Sequence, residues 1–379
     1  MIDFEPSDEQ ALIIETVRQF AENEIRPQCR EADESGAPAA AVLDAAHELG
    51  LVANSLPEAH GGGGERSALT GVLIAEELGW GDMATAIAIL SPGLSGLPVG
   101  EFGNEALQNQ VLPGLLGERF VPGSLAIVEP RFGFDVYHPQ TIAKADGDEF
   151  VLDGVKCQVP WISGTAQVIV IASESNTLSA FVVPTDAAGL TTAPELNLGL
   201  NGLPTVELTL SGVRVPAASR LLADDAAVRG MIDRGRLAVA AAALGTARAA
   251  FETSRDYAKQ RETFGQPIAT RQAIAFMLAD MAIEIDGARL LIWRAAQNAS
   301  DGLPSILDSS LAKCFANQMV REVTGDAMQV MGAYGYSKEF QQERRLRDAW
   351  GWGIAGGAID IQKVNIAAAL VGRRFNQRG

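Results

Sequence analysis

Residues 261–281, RETFGQPIATRQAIAFMLADM, join a polar, glycine-containing segment to an amphipathic one. Apolar side chains then recur at i, i+3, i+4, i+7 and i+11, and they are Ile274, Met277, Leu278, Met281 and Ile285. Spacing of this kind places all five side chains on one face of an α-helix. The stretch therefore predicts a long helix that buries this face and begins directly after an exposed polar segment.

The residues at the entrance of the predicted helix are of types that bind anions. Arg261, Thr263, Arg271 and Gln272 come just before it or in its first turn. A helix N-terminus offers unpaired N–H groups and a partial positive charge, and an arginine adds further donors. These residues predict a site for an anion such as a pyrophosphate. The alternative is a solvated loop that caps the helix.

The composition is that of a globular protein and excludes two classes of partner. The chain has 379 residues, of which 47% are hydrophobic, and its formal net charge is −17. Nucleic acids and anionic membrane surfaces are bound by concentrated Lys and Arg side chains. Neither partner is therefore expected.

The cysteines, the histidines and the hydropathy indicate the environment of the chain. Cys29, Cys157 and Cys314 are far apart in sequence, as are the three histidines, so we expect neither a structural disulfide nor a metal site. No run of about 18 apolar residues occurs, and the acidic N-terminus MIDFEPSDEQ is unlike a signal peptide. We expect a soluble, cytoplasmic protein without membrane insertion.

The hydrophobic period divides the chain into three predicted domains. Residues 1–122 have helical spacing, residues 123–222 contain short β-rich segments between turn residues, and residues 223–379 are helical again. The β-rich segments are 142–157, 167–173, 178–184 and 205–216. We predict an α+β multi-domain protein with an N-terminal helical domain, a middle β-barrel or sandwich domain, and a C-terminal four-helix bundle.

Three motifs resemble those of one flavoenzyme family. Residues 261–265 read RETFG, residues 329–335 read QVMGAYG, and residues 344–348 read RRLRD. With these motifs, the chain resembles the acyl-CoA dehydrogenases over nearly its whole length. The resemblance implies FAD as cofactor and the α,β-desaturation of an acyl-CoA-type thioester. In that reaction a carboxylate takes the α proton and the flavin takes the β hydride.

The resemblance also implies which residues contact the cofactor and the substrate. In the family, a neighbouring subunit contributes the Arg-x-Thr-Phe-Gly loop and a Gln-x-x-Gly-Gly turn to the pyrophosphate and adenine end of the flavin. The matching cofactor-binding residues are Arg261, Thr263, Phe264, Arg271, Gln272, Gln329, Gly332 and Ala333, the last in place of a glycine. Asp233 and Arg236 match family positions near the acyl-CoA.

Two parts of the family pattern are missing. Residues 128–135 read VEPRFGFD where the family has TEPGAGSD, so two hydroxyl groups are lost from the flavin-receiving strand. The catalytic Glu of the family aligns with Gly356 or, in some members, with Gly235, and glycine cannot accept a proton. Loss of a general base costs about 10²- to 10⁴-fold in rate. The acids nearest in sequence to the site are Glu129, Asp135 and Asp360.

Three interpretations remain open. The family forms tetramers as dimers of dimers, from like or unlike chains, and several of the unlike-chain members act on steroid side-chain thioesters. In the first interpretation, this chain is one subunit, and a paralogous subunit with an intact Glu supplies the base. In the second, it is a homo-oligomeric flavoprotein with a displaced base and an unusual acyl thioester. In the third, it is a catalytically silent protein that binds acyl thioesters or serves as a scaffold for them.

Overall fold

The structure is a computed structural model that describes residues 5–132, 134–299 and 303–372. The N-terminal part is helical. Its helices are α1 (Asp8–Phe20), α2 (Cys29–Ser35), α3 (Ala40–Glu48), α4 (Ala68–Gly81), α5 (Met83–Leu90), α6 (Pro92–Phe102) and α7 (Glu105–Leu115). Residues 1 and 379, the predicted outer limits of the first and third domains, lie outside the described ranges. The predicted domain boundaries stay predictions.

The middle part is a seven-stranded sheet. Its strands are β1 (Leu125–Ala126), β2 (Ile142–Asp146), β3 (Glu149–Pro160), β4 (Gln167–Glu174), β5 (Thr177–Pro184), β6 (Leu190–Pro194) and β7 (Thr205–Pro216). The order is β1-β4-β2-β3-β7-β6, and β5 pairs antiparallel with β4 outside this path. β4 and β5 are buried along most of their length, which explains their continuous apolar runs.

The C-terminal part is built from long helices. They are α8 (Asp225–Gln260), α9 (Gln272–Asn298), α10 (Ile306–Met331) and α13 (Ile359–Val371), with the shorter α11 (Ala333–Tyr336) and α12 (Gln342–Trp352) between the last two. A hairpin of β8 (Glu262–Thr263) and β9 (Gln266–Pro267) separates α8 from α9. On the predicted stripe of α9, Met281 and Ile285 are buried in the core. The predicted order of helical, β and helical domains is confirmed.

One described segment, Met83–Phe102, has the length and apolar composition of a membrane-spanning helix. It is divided between α5 and α6, and 67% of its apolar window is buried inside the protein. No other described segment meets the same criteria. The segment therefore has the properties of buried core helices.

Two glycines allow the backbones of α4 and α8 to touch. A Cβ atom on Gly245 would lie 1.9 Å from the carbonyl oxygen of Glu76, and one on Gly79 would lie 2.2 Å from the carbonyl oxygen of Ala242. No real Cβ atom approaches a backbone oxygen so closely. These glycines are therefore required for the observed packing of α8 on α4.

Buried ion pairs fix the register of this contact. Arg248 donates to Glu76 Oε1 through Nη1 and to Glu77 Oε2 through Nη2, both at 2.7 Å. Arg289 of α9 reaches the same oxygen of Glu76 at 3.1 Å. Both carboxylates are buried, and a buried carboxylate without a partner is costly. α4, α8 and α9 therefore have one arrangement that pairs all of these charges.

We expect Gly245→Ala to destabilise the protein by more than about 2 kcal/mol, because α4 cannot move away without breaking the Arg248 ion pairs. Gly325→Ala on α10 is the matched control, since its added Cβ would meet nothing within 4 Å. Removing that helical glycine should stabilise by about 0.5–1 kcal/mol. Urea unfolding followed by circular dichroism measures both changes. Equal stability of the two variants would contradict this account of the contact.

Candidate functional site

An apolar pocket lies where α4, α5, α6, β4 and α8 meet. Its volume is about 240 Å³. The apolar side chains that line it include Leu90, Leu94, Leu97, Ile171 and Val239. A cavity of this kind suits an elongated apolar group such as an acyl chain, since each buried CH₂ contributes about 0.8 kcal/mol.

Three charged side chains, Arg66, Glu101 and Arg234, line the same pocket. Arg234 Nη2 donates to the two carboxylate oxygens of Glu101 at 2.7 and 3.0 Å. Arg66 Nη1 lies 3.1 Å from Glu101 Oε1. Among the described residues that line the pocket, Glu101 is the one acid. Its carboxylate is already engaged by two guanidinium groups, which bind carboxylates strongly.

Gly235 lies on the side of α8 that faces the pocket. It is part of the lining, and a Cβ atom built on it would meet nothing within 4 Å. The backbone there is helical, so an L-residue other than proline could occupy the position without strain. One of the two positions predicted to align with the catalytic Glu of the family therefore opens into the pocket and carries no side chain.

Gly356, the other such position, faces buried basic side chains. Its φ is 66°, and a Cβ atom would lie 3.3 Å from Arg236 Cγ and 3.8 Å from Lys313 Cε. Arg236 Nε donates to the Gly356 carbonyl oxygen at 2.8 Å. Burial, and then the charge of Arg236, lowers the pKa of Lys313 to about 7. A carboxylate at position 356 would be stabilised by the Arg236 guanidinium and would favour the charged form of Lys313, but the chain places none there.

The predicted substrate-binding residues Asp233 and Arg236 form a buried network with Tyr137. Arg236 Nη1 donates to Asp233 Oδ1 at 2.7 Å and also to the Tyr137 hydroxyl, which donates to Asp233 Oδ1 at 3.0 Å. Burial raises the pKa of Asp233, while the charge of Arg236 acts in the opposite direction. A role of Asp233 and Arg236 in substrate binding stays a prediction. Sequence reasoning missed Tyr137, because a contact across 96 residues leaves no local pattern.

The first predicted cofactor segment forms an exposed hairpin arm, residues 261–272. β8 and β9 pair, and Phe264 and Gly265 make the turn with φ values of 53° and 75°. The side chain of Phe264 is 97% exposed. Arg271 Nη2 donates to the Thr263 carbonyl oxygen at 3.0 Å, which ties the start of α9 to the hairpin.

The arm fits an anionic group such as the pyrophosphate of FAD. α9 begins at Gln272, and its N-cap residue, Arg271, makes no capping hydrogen bond through its side chain to the described first turn. Arg261 and Arg271 are both exposed beside this turn. Free N–H groups at a helix start, together with guanidinium donors, form a phosphate site. A role of the arm residues in holding this part of the cofactor stays a prediction.

The second predicted cofactor segment lies at the same end of the C-terminal helices. Gln329 is exposed in the last turn of α10, and Gly332, with a φ of 58°, ends that helix before Ala333. The ring of Tyr334 lies 6.1 Å from the ring of Tyr257, which precedes the arm on α8. The structure thus brings both predicted cofactor segments together.

The loop after β1, expected to receive the flavin, is organised around Glu129. Its carboxylate accepts hydrogen bonds from Gln140 N at 2.9 Å and from Thr141 N and Oγ1 at 2.8 Å. It also pairs with Arg131 Nε at 2.8 Å and Lys156 Nζ at 3.1 Å. Burial alone would raise the pKa of Glu129, but Lys156 and the hydrogen bonds lower it to about 2. Glu129 therefore anchors the loop and is a poor base at neutral pH.

The other two alternative acids also lie outside the pocket. Asp135 accepts a hydrogen bond from Tyr137 N at 3.0 Å and lies 2.6 Å from His138 Nδ1. Asp360 is exposed in the first turn of α13. None of the three candidate acids is among the described lining residues. Gly133, in the middle of the same loop, lies outside the described residues.

Comparison with known proteins extends these observations to the whole chain. The N-terminal domain model of the acyl-CoA dehydrogenases matches residues 7–119, the middle-domain model residues 124–213, and the C-terminal domain model residues 226–371. The chain belongs to the acyl-CoA dehydrogenase family. Members are FAD-dependent oxidoreductases that act on the CH–CH group of acyl-CoA, and oligomeric assembly is typical of them.

Similar proteins cover nearly the full length. The probable acyl-CoA dehydrogenase YngJ of Bacillus subtilis is 38% identical over 98% of this chain and 100% of its own. The short-chain specific acyl-CoA dehydrogenase of Bos taurus mitochondria is 35% identical over 95% of this chain and 89% of its own. The structure of butyryl-CoA dehydrogenase from Megasphaera elsdenii has a TM-score of 0.89 at 32% identity, covering 98% and 100% of the two chains. The family, fold and cofactor implied by the motifs are confirmed.

We expect Glu129→Gln to remove part of the acid sensitivity of the fold. The pKa of Glu129 is about 2 against an ordinary 4.5, so its contribution is complete above the ordinary value and is lost as the pH falls towards 2. The wild type should lose about 1 kcal/mol through this group between pH 7 and pH 4. At pH 7 the variant should be less stable by about 3 kcal/mol, because Lys156 loses its buried partner.

Urea unfolding at both pH values measures this difference, and Glu118→Gln is the control for an exposed glutamate. If Glu129→Gln and the wild type lose the same stability on acidification, Glu129 does not have the depressed pKa that its contacts indicate.

Proposed function

We propose that this chain takes part in the FAD-dependent α,β-desaturation of an acyl-CoA thioester as one subunit of an assembly whose partner supplies the catalytic Glu. One observation carries the proposal. Within the described lining of the pocket, no carboxylate is available as a base, since Gly235 has no side chain and Glu101 is engaged by two arginines. The family reaction requires such a base at the α carbon.

The length of α8 supports a role in a neighbouring active site. Gly235, in the pocket, and Arg261, at the start of the arm, are 261 − 235 = 26 residues apart, and all but the last of these residues lie on one helix. At 1.5 Å per residue they are about 39 Å apart. A short hairpin cannot bridge that distance, so the arm and the pocket of one chain serve different sites.

The exposed aromatic ring of the arm also favours assembly. Phe264 is 97% exposed at the tip of the hairpin. Covering an aromatic ring lowers the free energy of the system. A cofactor held by a neighbouring chain would cover it and would place its phosphates at Arg261 and the start of α9. FAD, when bound, accepts the hydride from the β carbon of the substrate. This chain would contribute to binding and orienting that cofactor.

A second candidate function follows from the position of Glu101. This acid lines the apolar pocket, so it could act as a displaced base in a homo-oligomeric enzyme if substrate binding moved Arg66 or Arg234. Once the two guanidinium groups have moved away, the carboxylate would be able to accept the α proton. In this case the chain would complete the reaction in its own pocket.

Exchange of the α proton of saturated acyl-CoA thioesters in D₂O tests the proposal without requiring bound flavin. The wild type should show no exchange above buffer. Gly235→Glu, which adds a carboxylate where the pocket is open, should raise the rate by about 10²-fold or more, and Gly235→Gln, the matched neutral variant, should not.

The outcomes separate the candidates. Exchange by the wild type that disappears in Glu101→Gln would replace the proposal by the displaced-base enzyme. If Gly235→Glu binds the thioesters in calorimetry but does not exchange the proton, the pocket does not hold the α carbon near position 235.

A further inference from the structure

One edge of the apolar pocket is charged, and the guanidinium group of Arg66 is only partly engaged there. Arg66 Nη1 lies 3.1 Å from Glu101 Oε1, and the Arg66 side chain forms no hydrogen bond with the residues that the structure describes. Arg234 Nη2, in contrast, donates to both carboxylate oxygens of Glu101. The side chain of Arg66 is 38% exposed. A guanidinium has five N–H donors, so most of those of Arg66 can serve a ligand in the pocket.

The start of α4 adds positive charge to the same edge. Ser67 is the N-cap residue of α4, and its Oγ accepts a hydrogen bond from Thr70 N at 3.1 Å. Ser67 and Ala68 follow Arg66 in the chain, and all three line the pocket. A helix start carries a partial positive charge and backbone N–H groups without intrahelical partners. An anion at this edge would therefore meet both an arginine and a helix N-terminus.

A purely apolar acyl group does not match this edge. An alkyl end that covered Arg66 would remove water from a guanidinium and return no hydrogen bond, and this cost exceeds the gain from burying one more methyl group. A carboxylate replaces the lost water with two parallel charge-assisted hydrogen bonds. The acid of the described lining, Glu101, repels a second carboxylate, but Arg234 offsets its charge by donating to both of its oxygens.

We infer that Arg66 selects acyl-CoA thioesters whose acyl group carries a carboxylate of its own, the half-thioesters of dicarboxylic acids. Leu94 and Leu97 would contact the methylene groups between the thioester and this carboxylate, which Arg66 and the start of α4 would bind. The inference rests on the proposed function in placing the acyl group in this pocket, and it names the class of that group. It requires neither a base nor bound flavin. Its test therefore measures binding, whereas the proton-exchange experiment measures chemistry, and either result can fail while the other stands.

Calorimetric titration of the full-length chain tests this selection. CoA half-thioesters of saturated dicarboxylic acids of increasing length are each compared with the fatty acyl-CoA of the same number of carbons. We expect the carboxylate form to bind at least about tenfold more tightly at one or more lengths, as a charge-assisted pair in a partly buried site allows.

Three variants tie this preference to Arg66. Arg66→Gln should abolish it, and Arg119→Gln, at an exposed arginine outside the described lining, should retain it. Glu101→Gln should increase the preference, because it removes the repelling charge and keeps an acceptor for Arg234. A merely structural role of the ion pairs does not predict that increase. Circular dichroism and thermal unfolding establish that each variant is folded.

Two results would overturn the inference. One is the absence of any length at which the wild type binds the carboxylate form more tightly than the fatty acyl form. The other is a preference that persists in folded Arg66→Gln, because another group would then bind the carboxylate.

Discussion

The contact between α4 and α8 at Gly79 and Gly245 is the constraint on which the rest of the structure depends. It brings two helix backbones together so closely that no side chain fits between them. Arg248 then fixes the register by pairing with two buried glutamates of α4. α8 is 36 residues long and straddles this contact. One half of α8 lines the pocket and the other half leads to the hairpin arm. This one rigid helix therefore sets the distance between the pocket and the arm.

This geometry assigns different chemistry to the two ends of α8. At one end, the pocket offers an apolar surface and an open position at Gly235. At the other end, Arg261 and the start of α9 offer donors for phosphate. Near Gly356, Arg236 and Lys313 keep cationic surroundings that would hold a carboxylate. We predict that the catalytic Glu of the family aligns with Gly235 or Gly356, and at Gly356 the surroundings would stabilise a carboxylate.

Much of the fold could be predicted from the sequence because it follows from local periodicity. The stripe of Met281 and Ile285, the strand segments of the middle domain and the polar entrance to α9 are all visible as short-range patterns. The ion pair between Glu101 and Arg234 in the pocket is not visible as such a pattern, because the two residues are 133 residues apart and belong to different domains. The same holds for Tyr137 with Asp233. The sequence also could not show that Glu129 is held by five contacts, because each isolated acid looks equally available as a base.

We propose that this chain binds and orients the cofactor and the thioester but has no acid of its own at the reacting carbon. The most direct test is an anaerobic titration of the isolated chain, saturated with FAD, with saturated acyl-CoA thioesters of increasing length. The account predicts that the absorption band of the oxidised flavin persists in every case. Prompt bleaching of that band by any of these thioesters, with the single chain as the sole protein present, would contradict it.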